Sequence, residues 1–274
     1  MSPFTVVVPA HNEEAVIADL LAALQPGVED GRMEIIVVPN GCDDETAAVA
    51  RRFPVVVVER SEPGKVGALN AGDDAATGFP RFYIDGDVIL TADDISDMAA
   101  ELGGEVLAVA PGRRLETSGS SWAVRSYLRL WDELESTRRS LAGRGCYGVS
   151  EVGRSRWQAF PDLVADDGYV NALFAETERR NVERVESIVG APSDLRNLVA
   201  RKRRSHRGNR ELEDEGHGAT SNTEWLRVLR RNPRRLVDAP VYVMVTLVSR
   251  FLAGRDRRRG QAAWTTDRSS RERR

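Results

Sequence analysis

The stretch Arg81-Phe82-Tyr83-Ile84-Asp85-Gly86-Asp87 decides how the rest of the chain is read. Arg81 to Ile84 is a short, mostly apolar run and predicts a buried strand. At its end two carboxylates flank a glycine. In an open α/β sheet, ligands bind outside the carboxyl ends of the strands. Two acids two residues apart at such an end can grip a divalent cation through hard oxygen ligands. A solvated turn is the alternative, because Asp-Gly is also a common hairpin signal.

Upstream, the chain alternates between two periods. Phe4 to Val8 is apolar and β-branched, and Pro9 closes it as a strand. Val16, Ile17, Leu20, Leu21 and Leu24 then share one helical face, with Asn12 as the expected N-cap and Pro26-Gly27 as the expected stop. Glu34 to Val38 predicts a second strand and Asn40-Gly41 a turn. Asp43 or Asp44 is placed to cap a helix running through Arg52. Val55 to Val58, unbroken by polar residues, predicts a third strand buried on both faces. A helix from about Val66 to Ala76 leads into the Asp85-Gly86-Asp87 strand. This β-α-β-α-β-α-β order with short connections implies a parallel sheet with right-handed crossovers. No Gly-x-Gly-x-x-Gly follows the first strand and no Gly-x-x-x-x-Gly-Lys occurs, which argues against a dinucleotide fold and a P-loop ATPase. Phosphates, if bound, must then be held by a metal.

Downstream, the reading is less regular. Leu107 to Ala110 predicts a strand, and Ser121 to Ser140 a long helix with Trp122, Leu128, Leu130, Trp131 and Leu134 for packing. Gly143, Gly145 and Gly148 interrupt the chain before Val149. A helix is expected from Asp166 through Glu178, and a strand over Asn181 to Val189. A basic run, Arg201 to Asn209, precedes an acidic patch, Glu211 to Glu215. There is no internal repeat.

Composition narrows the class. A length of 274 residues with 41% hydrophobic and 30% charged residues fits a globular protein, as one large domain or a domain with an appendage. Two cysteines, Cys42 and Cys146, give no disulfide framework and suit a reducing cytosol. The N-terminus shows no signal peptide. The net charge of −3 hides an asymmetry: residues 201–274 carry 20 Lys+Arg against 9 Asp+Glu, and residues 1–200 carry 19 against 33. An acidic body with a basic end suggests an anionic partner there, a phosphate or a membrane surface, although an arginine-rich end also serves simply as a solvated tail. Lys65 and Lys202 are the only lysines in an arginine-rich chain. A compact ammonium in the Gly64-Lys65 loop suits a phosphate or ribose contact. Ala239 to Leu252 is apolar over about fourteen residues, short of the roughly twenty a membrane span requires. It predicts a core helix, with a helix lying at a membrane interface as the competitor.

Five motifs in order carry a resemblance. They are Val-Pro-Ala-His-Asn-Glu-Glu (8–14), Val-Pro-Asn-Gly-Cys-Asp-Asp-Glu-Thr (38–46), Gly-Lys-Val-Gly-Ala-Leu-Asn (64–70), Asp-Gly-Asp (85–87) and Ala-Asp-Asp-Gly-Tyr-Val (165–170). Together, over about Phe4 to Gly208, they resemble the inverting family-two glycosyltransferases of the GT-A fold. The resemblance implies an α/β fold with a Rossmann-like, mostly parallel sheet flanked by helices. It also implies a division into a GT-A domain over 1–208, a C-terminal helical extension over 209–254 and a basic tail over 255–274.

The resemblance further implies a nucleotide-diphosphate-sugar donor and a hydroxyl acceptor. Pro9, Ala10, His11 and Glu13 would line the base and ribose, with Asn40 where family members often carry an acid that reads the base edge. Lys65, Asp85, Gly86, Arg113 and Arg204 complete the expected donor-binding set, with Arg114 an equal candidate to Arg113. Asp44 and Thr46 match the pattern too, but helix capping explains both. Asn70 is expected to tie down the Lys65 loop. Asp87 and Asp85 would hold Mg2+ or Mn2+. Asp167, in the pair Asp166-Asp167, is the candidate general base, although adjacent acids at a helix start also simply complement its dipole.

Where processive members carry Gln-x-x-Arg-Trp, this chain has Arg201 and Ser205 in place of the Gln and Trp, which argues against a processive synthase. Arg203, Arg204 and Arg207 are then either phosphate contacts or a basic loop. No nucleic-acid partner is expected, and the location expected is cytoplasmic, with peripheral association at the inner face of a membrane left open. The competing readings are a nucleotidyltransferase of related fold, which would ordinarily want a glycine-rich basic loop after the first strand, and a catalytically inactive nucleotide-sugar-binding scaffold.

Overall fold

A computed structural model describes residues 3–163, 165–216 and 223–258. The chain folds as two compact units. The first is drawn from the chain up to Arg114, Leu141–Asp162 and Leu173–Val189, and the second from Leu115–Ser140, Leu163–Ala172 and the chain from Gly190 onward.

The first unit is built on a sheet. Its strands are β1 (Phe4–Ala10), β2 (Met33–Pro39), β3 (Val56–Val57), β4 (Arg81–Ile84), β5 (Ala108–Glu116), β6 (Cys146–Val149) and β7 (Arg179–Gly190), in the spatial order β3-β2-β1-β4-β6-β5-β7. β3, β2, β1 and β4 run parallel, whereas β6 is antiparallel to both β4 and β5. Helices α1 (Ile17–Glu29), α2 (Thr46–Ala50), α3 (Lys65–Ala75) and α4 (Ala92–Ala99) follow β1 to β4 in turn. β1 reads as a continuous valine run because it is covered on both faces: Val6, Val7 and Val8 are fully buried. Ile17, Leu20, Leu21 and Leu24 of α1 pack with Val6, Val8, Ile35, Phe82 and Ile84 in one core.

The order of strands reverses at β1. From β1 the chain builds outward to β2 and β3, then returns to lay β4 on the other side. That is a topological switch point, where open α/β sheets leave a crevice at the strand carboxyl ends. The residues just past β1 and β4 therefore meet there.

Several local expectations change. The third strand is two residues long and Val56 is half exposed, because β3 is an outermost strand of the sheet and pairs only with β2. Asn12 does not cap α1. It sits in the left-handed region at φ 53°, and its Oδ1 accepts from the Asp43 N–H, while the helix starts only at Ile17. Pro26 does not stop α1 either. The helix continues to Glu29 and ends where Gly31 takes φ 76°.

The second unit is helical. It contains α5 (Trp122–Trp131), α6 (Glu135–Arg138), α8 (Asp166–Ala172), α9 (Leu195–Asp214), α10 (Glu224–Arg231) and α11 (Ala239–Arg258), with α7 (Glu151–Arg154) belonging to the first unit. The long helix expected over Ser121 to Ser140 is split in two, with Ser121 capping α5 through its side chain. Val124, Tyr127, Leu128, Leu198 and Val245 form the core of this unit. The basic run Arg201 to Asn209 is helix, not loop, and position 208 lies inside α9. The helix expected to run from Asp166 through Glu178 ends at Ala172, and a short 3-10 turn follows at Glu176–Glu178. Most of the basic tail expected over 255–274 lies outside the described residues, and 255–258 belong to α11.

Candidate active site

At the switch point, β1 ends at Ala10 and β2 at Pro39, and one side chain ties the two strand ends to the loop before α3. Asn40 is 2% exposed. Its Nδ2 donates to the carbonyls of Ala10 (2.8 Å) and Val38 (3.3 Å), and its Oδ1 accepts from the Gly64 N–H (2.9 Å). The amide expected to read a base edge is thus spent on three backbone groups. It fixes the loop that delivers Lys65. The Ala10 carbonyl also accepts from Asn40 N, while Pro9 and Ala10 themselves are buried.

His11 is oriented by the same turn. Its Nδ1 lies 2.7 Å from the Asn40 carbonyl, which only accepts, so Nδ1 carries a proton and donates it there. Glu13 is buried, its N–H donates to Thr46 Oγ1, and its carboxylate lies against Gly86. A Cβ at position 86 would meet Glu13 Oε2, so the glycine of Asp-Gly-Asp leaves room for the Glu13 carboxylate as it stands. Asp44 serves as a local tie: Oδ1 accepts from Thr46 N and Oγ1, and Oδ2 from Glu14 N. Burial works to raise its pKa, but these hydrogen bonds outweigh it and leave the carboxyl below its ordinary value.

Lys65 opens α3. Gly64 before it takes φ 151°, a conformation that L side chains rarely adopt, and the chain turns there to point Lys65 at the end of β4. Its Nζ is 2.7 Å from Asp85 Oδ1, with both side chains about one-third exposed. Asp85 is held in turn through its N–H, which donates to the Gly145 carbonyl. Asp87, two residues on, is exposed. Of the two arginine candidates, Arg114 pairs with Glu186 on the strand surface, while Arg113 is half-buried beside Gly143. Asn70 does not hold the Lys65 loop. It exchanges two hydrogen bonds with the backbone of Phe160.

Residues of the second unit carry the remaining candidates. Asp166 and Asp167 open α8. Asp166 is 6% exposed, whereas Asp167 is more accessible and accepts from the Gly168 N–H at 2.7 Å. A Cβ on Gly168 would come within 3.0 Å of Leu212, and one on Gly208 within 2.8 Å of Ala165, so two glycines let α8 sit directly on α9. Arg204 is a half-buried residue of α9. Arg203 and Arg207 are engaged by Asp256 and Glu211, which weakens their case as phosphate contacts.

Sequence reasoning named Lys65, Asp85 and Asp167 as candidates but missed what places them. Gly64, at φ 151°, precedes Lys65; Gly145, at φ 68°, holds Asp85 through its carbonyl; and Gly168 and Gly208 let α8 approach α9.

The donor set suits a hard divalent cation. Among the described residues no three His, Cys, Asp or Glu side chains gather into a metal cage. Two carboxylates at a strand end, with the remaining positions left to water and substrate phosphate, is how Mg2+ is commonly held. Asp85 and Asp87 fit that pattern.

A family model described as glycosyl transferase family 2 matches residues 5–156, more than half of the chain; Asp166 and Asp167 lie beyond it. An uncharacterized glycosyltransferase of Mycobacterium tuberculosis (strain ATCC 25618 / H37Rv) is 37% identical over 120 residues, covering 43% of this chain and 51% of the relative. The chain therefore spans about half the length of that relative. Glycosyltransferase AglE of Haloferax volcanii is 30% identical over 93 residues, 31% of each chain. Among solved structures, a mannosyltransferase from Pyrobaculum calidifontis in complex with GDP-Man and Mn2+ superposes with a TM-score of 0.62 at 19% identity, over 96% of this chain and 76% of its own. Glucosyl-3-phosphoglycerate synthase from Mycobacterium tuberculosis, in complex with Mn2+ and UDP-glucose, gives 0.56 at 22% identity, over 80% of each. At these identities the likeness is one of fold, the GT-A arrangement.

Proposed function

The chain belongs to glycosyl transferase family 2, and from that premise we propose that it moves one sugar from a nucleotide-diphosphate-sugar donor to a hydroxyl acceptor, with inversion and without processive elongation. The observation that carries this reading is the Lys65–Asp85 pair at the carboxyl end of β4, beside Asp87 and the turn that holds His11.

The residues divide the work. Asp87 and Asp85 would hold Mg2+ or Mn2+, which when bound offsets charge on the leaving diphosphate. Lys65 adds a second, fixed positive charge beside Asp85, placed by Gly64 and Asn40. His11, held by the Asn40 carbonyl, offers a ring face or edge to the base. Asp167 accepts the proton of the acceptor hydroxyl as that oxygen bonds to the anomeric carbon and the bond to the diphosphate breaks. A single displacement of this kind inverts the anomeric carbon. Of the two neighbouring acids, Asp167 is favoured because Asp166 is buried.

Two structural neighbours with bound GDP-Man and UDP-glucose make nucleotide sugars the donor class to test first. The base is left to experiment, since Asn40 is spent on the backbone. The thiols of Cys42 and Cys146 are both free, as a reducing cytoplasm permits, and we place the protein there. No described helix is long and apolar enough to cross a membrane.

The test is a thermal-shift screen of UDP-, GDP- and dTDP-sugars with Mn2+, followed by acceptor-dependent release of the nucleoside diphosphate. One donor should stabilise the protein in the presence of metal and be consumed. No stabilisation by any nucleotide sugar would reject the reading.

A further inference from the structure

Helix α11 has two apolar stripes, and among the described residues only one is packed. Tyr242, Val245, Ser249 and Ala253 recur at helical spacing and face the core of the second unit, where Tyr242 stacks on Tyr127 with ring centroids 5.2 Å apart. The side chains of the opposite stripe stand in water: Met244 is 46% exposed, Leu247 61%, Val248 42% and Phe251 70%. The stripe extends back through Pro240 to Val237 and Leu236, which are exposed in the turn before the helix. From Val237 to Phe251 it is an apolar ribbon about 20 Å long at 1.5 Å per residue. Apolar surface this contiguous marks an interaction site.

Within the segment that carries the ribbon, the fully exposed charges all have one sign. Between Thr223 and Asp256 the sequence holds seven arginines and three acids. All three acids are withdrawn. Glu224 is buried and accepts from Ser136, Asp238 is buried on Ser126 and Arg129, and Asp256 is paired with Arg203. Arg227, Arg230, Arg231 and Arg234 are exposed at one end of the ribbon, and Arg255 at the other. A second copy of the chain laid on this face would bring arginine against arginine, which is unfavourable. A surface that is apolar within and negative without meets both features.

We infer that the α11 ribbon docks on an anionic lipid surface. The helix lies in the interface plane, with Val237, Met244, Leu247, Val248 and Phe251 entering the headgroup–acyl boundary and the flanking arginines meeting lipid phosphates. This site belongs to the second unit alone and stands whether or not the sugar-transfer reading holds.

The experiment is sedimentation of the full chain with vesicles of phosphatidylcholine alone and of phosphatidylcholine with 30% phosphatidylglycerol, at low and high salt. The variants are Leu247→Gln/Phe251→Gln and Arg227→Gln/Arg230→Gln/Arg231→Gln. Binding should require phosphatidylglycerol and weaken at raised salt. The apolar pair should weaken it by about tenfold or more, and the arginine set by roughly fivefold per residue. All these side chains are exposed, so far-UV circular dichroism and the melting temperature should not move. No binding to the anionic vesicles overturns the inference. So does binding that survives Leu247→Gln/Phe251→Gln, or a stable dimer in light scattering that this variant dissociates.

Discussion

The Nζ of Lys65 stands 2.7 Å from Oδ1 of Asp85, joining the first residue of α3 to the residue just past β4. Lys65→Ala should therefore weaken donor affinity by on the order of tenfold, the scale of one charged hydrogen bond at a partly exposed site. Lys65→Arg should rescue only part, because a planar guanidinium does not fit where a compact ammonium did. Titration calorimetry with the best donor measures both, and unchanged affinity in Lys65→Ala would remove this lysine from the site.

The other lysine separates stability from binding. Lys202 Nζ sits 3.6 Å from the centroid of the Trp131 ring and 5.4 Å from that of Tyr127. Lys202→Ala should lower stability by about 1 kcal/mol through a lost cation–π contact and leave donor affinity alone. Urea denaturation and the same calorimetry check the two halves.

Asn40→Asp should destabilise the protein although the change is isosteric. A carboxylate oxygen would replace Nδ2 against the carbonyls of Ala10 and Val38, in a site 2% exposed. The cost expected is about 3 kcal/mol at neutral pH. The site would raise the folded-state pKa of the new carboxyl, so the penalty is full above that raised value and fades as pH falls toward the unfolded value near 4. An equal loss of stability at pH 4 and pH 7.5 would show that charge is not the cause.

His206 predicts an acid sensitivity in the second unit. Its pKa is lowered to about 4 by burial, with Arg250, Lys202 and Arg210 adding positive charge around it. The unfolded chain takes up the proton near pH 6.5, so stability should be complete above that value and decline as pH falls from 6.5 toward 4. In His206→Gln that portion of the decline should be absent. Urea midpoints between pH 7.5 and 4 give the comparison, and identical profiles for both proteins would reject it.

Asp167→Asn should cut transfer by roughly a hundred- to ten-thousand-fold while donor affinity stays close to normal, the signature of lost general-base help. Asp166→Asn, at a position 6% exposed, should show chiefly as lost stability. Transfer rates at saturating donor and acceptor decide it. A greater loss in Asp166→Asn moves the base one residue back.

The parallel half of the sheet was legible because runs such as Thr5-Val6-Val7-Val8 and Ile35-Ile36-Val37-Val38 can only be buried on both faces. Val55 to Val58 looks the same in one dimension and is an edge strand, since apolar character cannot say how many neighbours a strand has. The Asp-Gly-Asp turn and the isolated lysine were legible from chemistry at a strand end. The use of Asn40 was not: its partner Gly64 is 24 residues away, and an amide that pairs with backbone is spelled like one that reads a ligand. Helix α11 was half legible. Its apolar content showed a helix, but which stripe packs depends on Tyr127 and Leu198, far off in sequence.

The most direct measurement is nucleoside-diphosphate release from the stabilising sugar donor, with Mn2+ or with EDTA, by the unmutated protein and by Asp87→Ala. Asp87 is exposed just past the end of β4, so the variant should fold normally by circular dichroism. The account predicts release that needs the metal and an acceptor, is lost in EDTA, and is lost again in Asp87→Ala. Full release in EDTA, or an Asp87→Ala protein as active as the parent, would contradict it.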